Sequence, residues 1–344
     1  MTAKKDPYLY VGIDLGTSQS SITASNGKRH VVKSLVGWPV DMVAQKVLKK
    51  RVLVGQEALE NRTMLDFHRP LENGLIKEGS DKDLTAVKEI LQFLLEQVGT
   101  DTKEAKDTKV RAVVGVPAEA MRVNKQQLRN LLTGMVDGLM IVSEPFAVAY
   151  GVDALLHTMI VDLGAGTTDF CVMQGRYPTE DDQRTLAAAG DSVDEQLSSL
   201  VGAKHSDCQY TIHMIRQWKE GNSFVGDAKS KVMVEAPIAG KPNQIDIAKE
   251  MRAACESLIE PVSETMIDLL ARVDPEFQGK VRNNVILSGC TSLIEGLPEA
   301  LEATLDELGG GRVTRVKDPV FAGSDGGLAI ATDAAEDDWE QLAK

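Results

Sequence analysis

An apolar strand ending on an aspartate, then a tight glycine turn, then hydroxyl residues: this pattern occurs twice in the chain. The first copy is Val11-Gly12-Ile13-Asp14-Leu15-Gly16-Thr17-Ser18-Gln19-Ser20, and the second is Ile160-Val161-Asp162-Leu163-Gly164-Ala165-Gly166-Thr167-Thr168-Asp169. Glycine lets the backbone turn sharply and bring its N–H groups close to an anion with no Cβ in the way. Thr17, Ser18, Thr167 and Thr168 add hydroxyl donors. A carboxylate beside a phosphate is repelled unless a divalent cation, with its waters, lies between them. The pair therefore reads as a clamp on the phosphates of a nucleotide, with a divalent cation between them and the strand-end carboxylates. A single copy recurs in many α/β proteins. Two copies in the same order mark an internal duplication of large period, which predicts two similar lobes facing one another across a cleft.

A chain of 344 residues is too long for one ordinary core and suits two lobes. The hydrophobic and charged fractions, 43% and 26%, are those of a soluble globular protein. A net charge of -13 argues against nucleic acid or anionic lipid as the main partner. Lys46, Lys49, Lys50 and Arg51 form one local basic patch, read here as a solvated face. Cys171, Cys208, Cys255 and Cys290 show no C-x-x-C spacing and read as reduced thiols of a cytoplasmic protein. No apolar run approaches the roughly 20 residues that span a bilayer, and the polar start and acidic end give no sign of direct membrane insertion.

Along the chain, Tyr8 to Asp14 reads as a strand, and Ser20–Ala24 with His30–Lys33 as a hairpin about Asn26-Gly27. Gly37-Trp38-Pro39 is expected to break the sheet, and Glu57 to Arg62 to form a short helix. Asp83 is the predicted cap of a helix carrying Leu84, Val87, Ile90, Leu91, Leu94, Leu95 and Val98 at helical spacing. Val110–Val116 and Leu139–Val142 read as buried strands, the second delivering Ser143-Glu144-Pro145 to its carboxyl end, where open α/β sheets place their sites. In the second half, Gly190–Asp194 reads as a turn capping a helix, and Tyr210–Glu220 as helical. A hairpin follows at Ile238–Lys241. Met251–Leu270 reads as one long helix with Pro261 as a candidate kink, and Val285–Ser288 as a strand.

The ordered motifs resemble those of the actin superfamily. They are Gly12–Thr17 (first phosphate motif), Val114–Ala118 with Ser143–Ala149 (first connecting region), Asp162–Asp169 (second phosphate motif), Leu287–Ile294 (adenosine motif) and Asp318–Gly327 (second connecting region). Arg69-Pro70-Leu71-Glu72-Asn73-Gly74-Leu75-Ile76 is similar to the MreB branch of bacterial actins, and whole-chain texture is most similar to its magnetosome-associated members. The resemblance implies an actin-like ATPase fold of class α/β, with two duplicated ribonuclease-H-like lobes, each with a small insertion subdomain, and the nucleotide in the cleft. Lobe I would be residues 1–150 with an insertion at about 34–75 and a return of 319–344, and lobe II residues 151–318 with an insertion at about 195–248.

The resemblance further implies ATP/ADP and Mg²⁺ as ligands. Asp14 and Asp162 would hold the metal through water, and Glu144, with Asp162, would serve hydrolysis by placing the attacking water. Gly16, Thr17, Ser18, Gly164, Ala165, Gly166 and Thr167 would cradle phosphates. Gly289, Cys290 and Thr291 would border the base, with Gly323 and Gly326 near the hinge. The ribose-contacting helix of the MreB branch would fall on Tyr210–Glu220, where its Glu-x-x-Lys becomes His213 to Arg216. A glycine run is replaced by Gly289-Cys290-Thr291, which leaves adenine against guanine open. Cys290 reads as a space-filling thiol rather than a redox sensor. The function implied is an ATP-dependent, head-to-tail cytoplasmic filament that positions magnetosome organelles through adaptor proteins and binds no nucleic acid. A small-molecule kinase and a chaperone-like nucleotide switch of the same superfamily are the alternatives.

Overall fold

The structure is a computed structural model and describes residues 8–77, 81–100, 108–118 and 121–342. These fall into two compact units that divide between Leu155 and Leu156 and again between Pro319 and Val320, the last segment rejoining the first unit.

Numbered along the chain, unit 1 holds β1 (Tyr8–Leu15), β2 (Gln19–Ala24), β3 (Arg29–Lys33), β4 (Val36–Pro39), α1 (Met42–Leu48), β5 (Leu53–Val54), α2 (Gln56–Glu60), β6 (Leu65–His68), β7 (Leu71–Glu72), β8 (Leu75–Ile76), α3 (Asp81–Gln97), β9 (Lys109–Val116), α4 (Met121–Leu132), β10 (Gly138–Ser143) and α5 (Glu144–Gly151). Unit 2 holds β11 (Leu156–Leu163), β12 (Thr168–Gln174), β13 (Gln183–Leu186), α6 (Gly190–Lys204), α7 (Ile212–Asn222), β14 (Met233–Glu235), β15 (Gln244–Asp246), α8 (Ala248–Glu256), α9 (Ile259–Arg272), α10 (Pro275–Arg282), β16 (Val285–Ser288), α11 (Leu297–Ala303) and β17 (Val313–Arg315). The segment that returns to unit 1 adds α12 (Ala322–Asp333) and β18 (Glu340–Gln341).

The duplication seen in sequence is a duplication of topology. Unit 1 has the sheet order β3-β2-β1-β9-β10, extended by β18, and unit 2 has β13-β12-β11-β16-β17. In each, an antiparallel three-strand meander is followed by two parallel neighbours. The inner parallel strands are largely apolar, as strands covered on both faces are; Val110 and Ala112–Val114 of β9 are all buried.

α12 crosses unit 1 against β1 and α5 at a distance only glycine permits. A Cβ on Gly12 would lie 2.0 Å from the Ser324 carbonyl oxygen, and one on Gly326 would lie 1.9 Å from that of Ala147. Hydroxyls complete this contact, Ser21 donating to Ser324 at 2.9 Å and Thr23 to Asp325 at 2.7 Å. The last residues close the sheet as β18 on β10, with the buried Trp339 and an Arg111–Glu336 ion pair holding them.

Four local expectations change. Gly37-Trp38-Pro39 does not break a sheet but lies in β4, the centre of a separate three-stranded sheet β5-β4-β6; Pro39 occupies its final position, where a missing N–H costs least. α3 starts at Asp81, and Asp83 is buried in its first turn with a carboxylate oxygen 3.0 Å from His68 Nδ1. Gly190–Asp194 is the first turn of α6 itself. The expected single helix over Met251–Leu270 is two, α8 and α9, parted at Ser257-Leu258, so Pro261 sits in the first turn of α9, where no intrahelical N–H bond is lost.

Gly326→Ala is expected to destabilise unit 1 by about 2–3 kcal/mol, the cost of forcing an atom into packed backbone. Gly279→Ala, in α10 with nothing within 4 Å of the place its added methyl would take, is expected to be neutral or slightly stabilising. Thermal and denaturant unfolding of the two variants checks the contrast.

Candidate nucleotide site

The turn after β1 and the turn after β11 have the same register. Leu15 pairs with Ser20 and Leu163 with Thr168, so each connection is four residues, 16–19 and 164–167. Each opens on a glycine, and a Cβ there would approach the carbonyl oxygen three residues on, 2.5 Å at Gly16 and 3.0 Å at Gly164.

In both turns, two successive carbonyls are held from behind. In unit 1, Ser34 Oγ donates to Gly16 O at 2.6 Å and Arg69 Nε donates to Thr17 O at 3.3 Å. In unit 2, Thr291 Oγ1 and Gly190 N–H donate to Gly164 O at 2.7 and 3.1 Å, and Asp191 N–H donates to Ala165 O at 2.7 Å. A trans peptide points its C=O and N–H in opposite directions. The N–H groups of Thr17 and Ser18, and of Ala165 and Gly166, are therefore turned away from these donors, as paired donors for an anion. Thr17 is buried, and its Oγ1 accepts from Gly74 N–H at 3.1 Å, which leaves the hydroxyl proton to donate. Thr167 is also buried, and Ser18 is partly exposed.

Each strand-end carboxylate rests against a glycine. A Cβ on Gly323 would lie 2.8 Å from Asp14 Oδ2, and one on Gly289, whose φ is +72°, would lie 2.6 Å from Asp162 Oδ1. Burial pushes the Asp14 carboxyl up to about 6, so its ionised form lacks the solvation it would have in water and is suited to a cationic neighbour. Among the described residues, no group of three His, Cys, Asp or Glu side chains could hold a metal. One strand-end carboxylate beside paired N–H donors in each unit fits a Mg²⁺ that arrives with phosphates and keeps its waters.

Glu144 does not lie on extended backbone, as its place before Pro145 suggests. It is the first residue of α5; Ser143 before it carries the extended geometry (φ -74°, ψ 141°), and Pro145 occupies a position that needs no N–H. Its side chain passes Gly115, whose added Cβ would stand 3.3 Å from Glu144 Cγ. Cys290 is partly exposed in a short 3₁₀ turn after Gly289, and the Thr291 hydroxyl is spent on the Gly164 carbonyl. Gly326 lies against α5.

Arg216, on α7, pairs with Asp191 at 3.2 Å and with the buried Asp194 at 3.0 Å. Lys219, one turn on, bonds Asp194 at 2.8 Å and the Gly190 carbonyl. The pair thus fixes the first turn of α6, whose N–H groups hold the phosphate turn from behind. Lys219, Arg69, Gly74 and Ser34 escape a reading of the sequence. Lys219 carries a signal in its spacing of three from Arg216 on a predicted helix, and Arg69 and Gly74 lie in the Arg69–Ile76 motif, which does not announce what they touch.

A model of the MreB/Mbl protein family matches residues 9–336. The chain belongs to the MreB/Mbl family of bacterial actins. Within it, the actin-like protein MamK of Paramagnetospirillum magneticum is 39% identical over 334 residues, 97% of this chain and 95% of that protein. Among solved structures, a MamK double helical filament matches with a TM-score of 0.91 at 37% identity, over 95% of this chain and 100% of that one. A non-polymerising MamK mutant bound to AMPPNP matches with a TM-score of 0.72 at 38% identity, over 94% and 99%. The fold is actin-like. No helix among the described residues is long and apolar enough to cross a membrane.

Lys219→Met leaves the buried Asp194 with Arg216 as its remaining cation, and is expected to destabilise unit 2 by about 3 kcal/mol. Lys219→Arg, which keeps the charge, is expected to lose less in the same denaturant titration.

Proposed function

We propose that this chain is a nucleotide-driven polymerising ATPase: it binds MgATP at its phosphate turns, assembles head to tail, and disassembles after hydrolysis. The observation that carries the reading is the pair of turns with carbonyls tied back and N–H groups turned forward. The MamK relatives support it, one solved as a double helical filament and another with AMPPNP, an ATP analogue.

Thr17, Ser18, Ala165 and Gly166 would donate their N–H groups to phosphate oxygens, with Thr17 and Thr167 adding hydroxyl protons. Asp14 and Asp162 would hold Mg²⁺ through its waters, and the bound ion would offset charge on the phosphate oxygens. Glu144 would orient the attacking water and accept its proton. Gly289 and Cys290 would border the base. Arg216 would reach the ribose side while holding Asp191 and Asp194. The likeness to MamK also supports a filament that positions magnetosome organelles; adaptor proteins would link it to them.

The test is sedimentation of purified protein with Mg²⁺ and ATP or AMPPNP. Pelletable polymer supports the filament; its absence at high protein concentration favours a kinase or a monomeric switch. Glu144→Ala and Asp162→Ala are expected to slow phosphate release by about tenfold or more, while ATP-dependent pelleting persists. Normal turnover by Glu144→Ala would remove that residue from the mechanism.

A further inference from the structure

β3 is the last strand of its sheet among the described residues, and its outer edge opens on a cavity of about 780 Å³. One wall is α3, through Glu89, Phe93 and Glu96; the other is the β5–α2 segment, through Val54 and Glu57. The hairpin register decides which backbone groups face this space. Ala24 N–H donates to Lys28 O at one end of the ladder, and Ser34 N–H donates to Ser18 O at the other. Bonded pairs alternate in an antiparallel ladder, so His30 and Val32 exchange bonds with Ile22 and Ser20. Val31, opposite Ser21, falls in a non-bonded pair and turns both its N–H and its C=O outward.

The walls differ in charge. Lys50 is matched by Glu57 at 2.7 Å. His30 stacks edge-on against Phe93 with ring centres 5.6 Å apart, and burial pushes its imidazole below the usual range, so it adds little positive charge at neutral pH. Lys33 stands at the upper end, where the Gly55 turn closes the edge by donating its N–H to Leu35 O at 2.7 Å. Glu89 and Glu96, two helical turns apart, leave the α3 wall acidic.

We propose that this groove docks an extended segment of a partner protein, which adds as a strand to β3 at Val31 and sets Lys or Arg side chains against Glu89 and Glu96. An edge strand with unused backbone groups is a template for such pairing, and alternate side chains then supply the specificity. A second copy of this chain is a poor occupant, because edge-to-edge pairing would set one acidic α3 wall against another. The site rests on the geometry of unit 1 alone, independent of whether the chain polymerises.

A fluorescein-labelled, end-blocked peptide Lys-Val-Arg-Val-Lys is titrated into the full chain and followed by anisotropy, beside Glu-Val-Glu-Val-Glu. The cationic peptide is expected to bind at least about tenfold more tightly than the acidic one and to protect the Val31 amide from hydrogen exchange. Val31→Pro deletes the outward N–H at an edge position that tolerates proline, and the Glu89→Lys/Glu96→Lys double variant reverses the wall without touching the backbone. Each is expected to weaken the cationic peptide by about tenfold or more. Unchanged binding in the charge-reversed variant, no preference for the cationic peptide, or no protection of Val31 overturns the proposal. Loss of ATP-dependent pelleting in the charge-reversed variant with peptide binding intact would assign the groove to a neighbouring copy, and overturns it too.

Discussion

The two phosphate turns depend on what stands behind them. A four-residue turn opening on glycine is conformationally loose by itself, since glycine forfeits more backbone freedom on folding than any other residue. Here each turn has two adjacent carbonyls tied down, at Gly16 and Thr17 in unit 1 and at Gly164 and Ala165 in unit 2. Peptide planarity then sets the direction of four N–H groups with no further contact needed. Pre-aimed donors lose little entropy when an anion arrives, which is what makes backbone N–H pairs effective phosphate seats.

The restraints are unlike, although the turns are alike. In unit 1 they come from Ser34, just after β3, and from Arg69, just before the β7–β8 hairpin, with Gly74 of that hairpin adding a bond to Thr17. In unit 2 they come from the first turn of α6 and from Thr291, and α6 is in turn locked by Arg216 and Lys219 of α7. Duplication explains the common meander and register. The supports come from segments that differ between the halves, and they couple each turn to a different part of its own unit. A shift of either turn would therefore be felt at the β7–β8 hairpin in unit 1 and at α7 in unit 2.

The strand-Asp-Leu-Gly repeats and the order of the connecting motifs are legible because they are written in residue type: alternating or continuous apolar runs, then glycine, then hydroxyl. The two-helix break at Ser257-Leu258 is not, since Pro261 draws attention to itself while occupying a position where proline is harmless. Asp83 reads as a cap because Asp often is one, yet its carboxylate meets His68, a contact fifteen residues away that no local pattern announces. For the same reason Arg69, Gly74 and Ser34 are invisible as supports: their role is to touch a backbone carbonyl or a hydroxyl distant in sequence, and backbone acceptors leave no signature in residue type. Motif order points to Glu144, while its helical start stays hidden because the residue before a proline is usually extended.

The most direct measurement is calorimetric titration of AMPPNP with Mg²⁺ into the wild-type chain and into Ser34→Ala and Thr291→Val, which cut one rear support each and touch no phosphate. One nucleotide per chain in the wild type, with affinity falling by roughly fivefold to tenfold in each variant, is the expected result, the equivalent of about one hydrogen bond. Two independent sites per chain, no uptake at all, or variants that bind as tightly as the wild type would contradict the idea that carbonyls held from behind make this a nucleotide site.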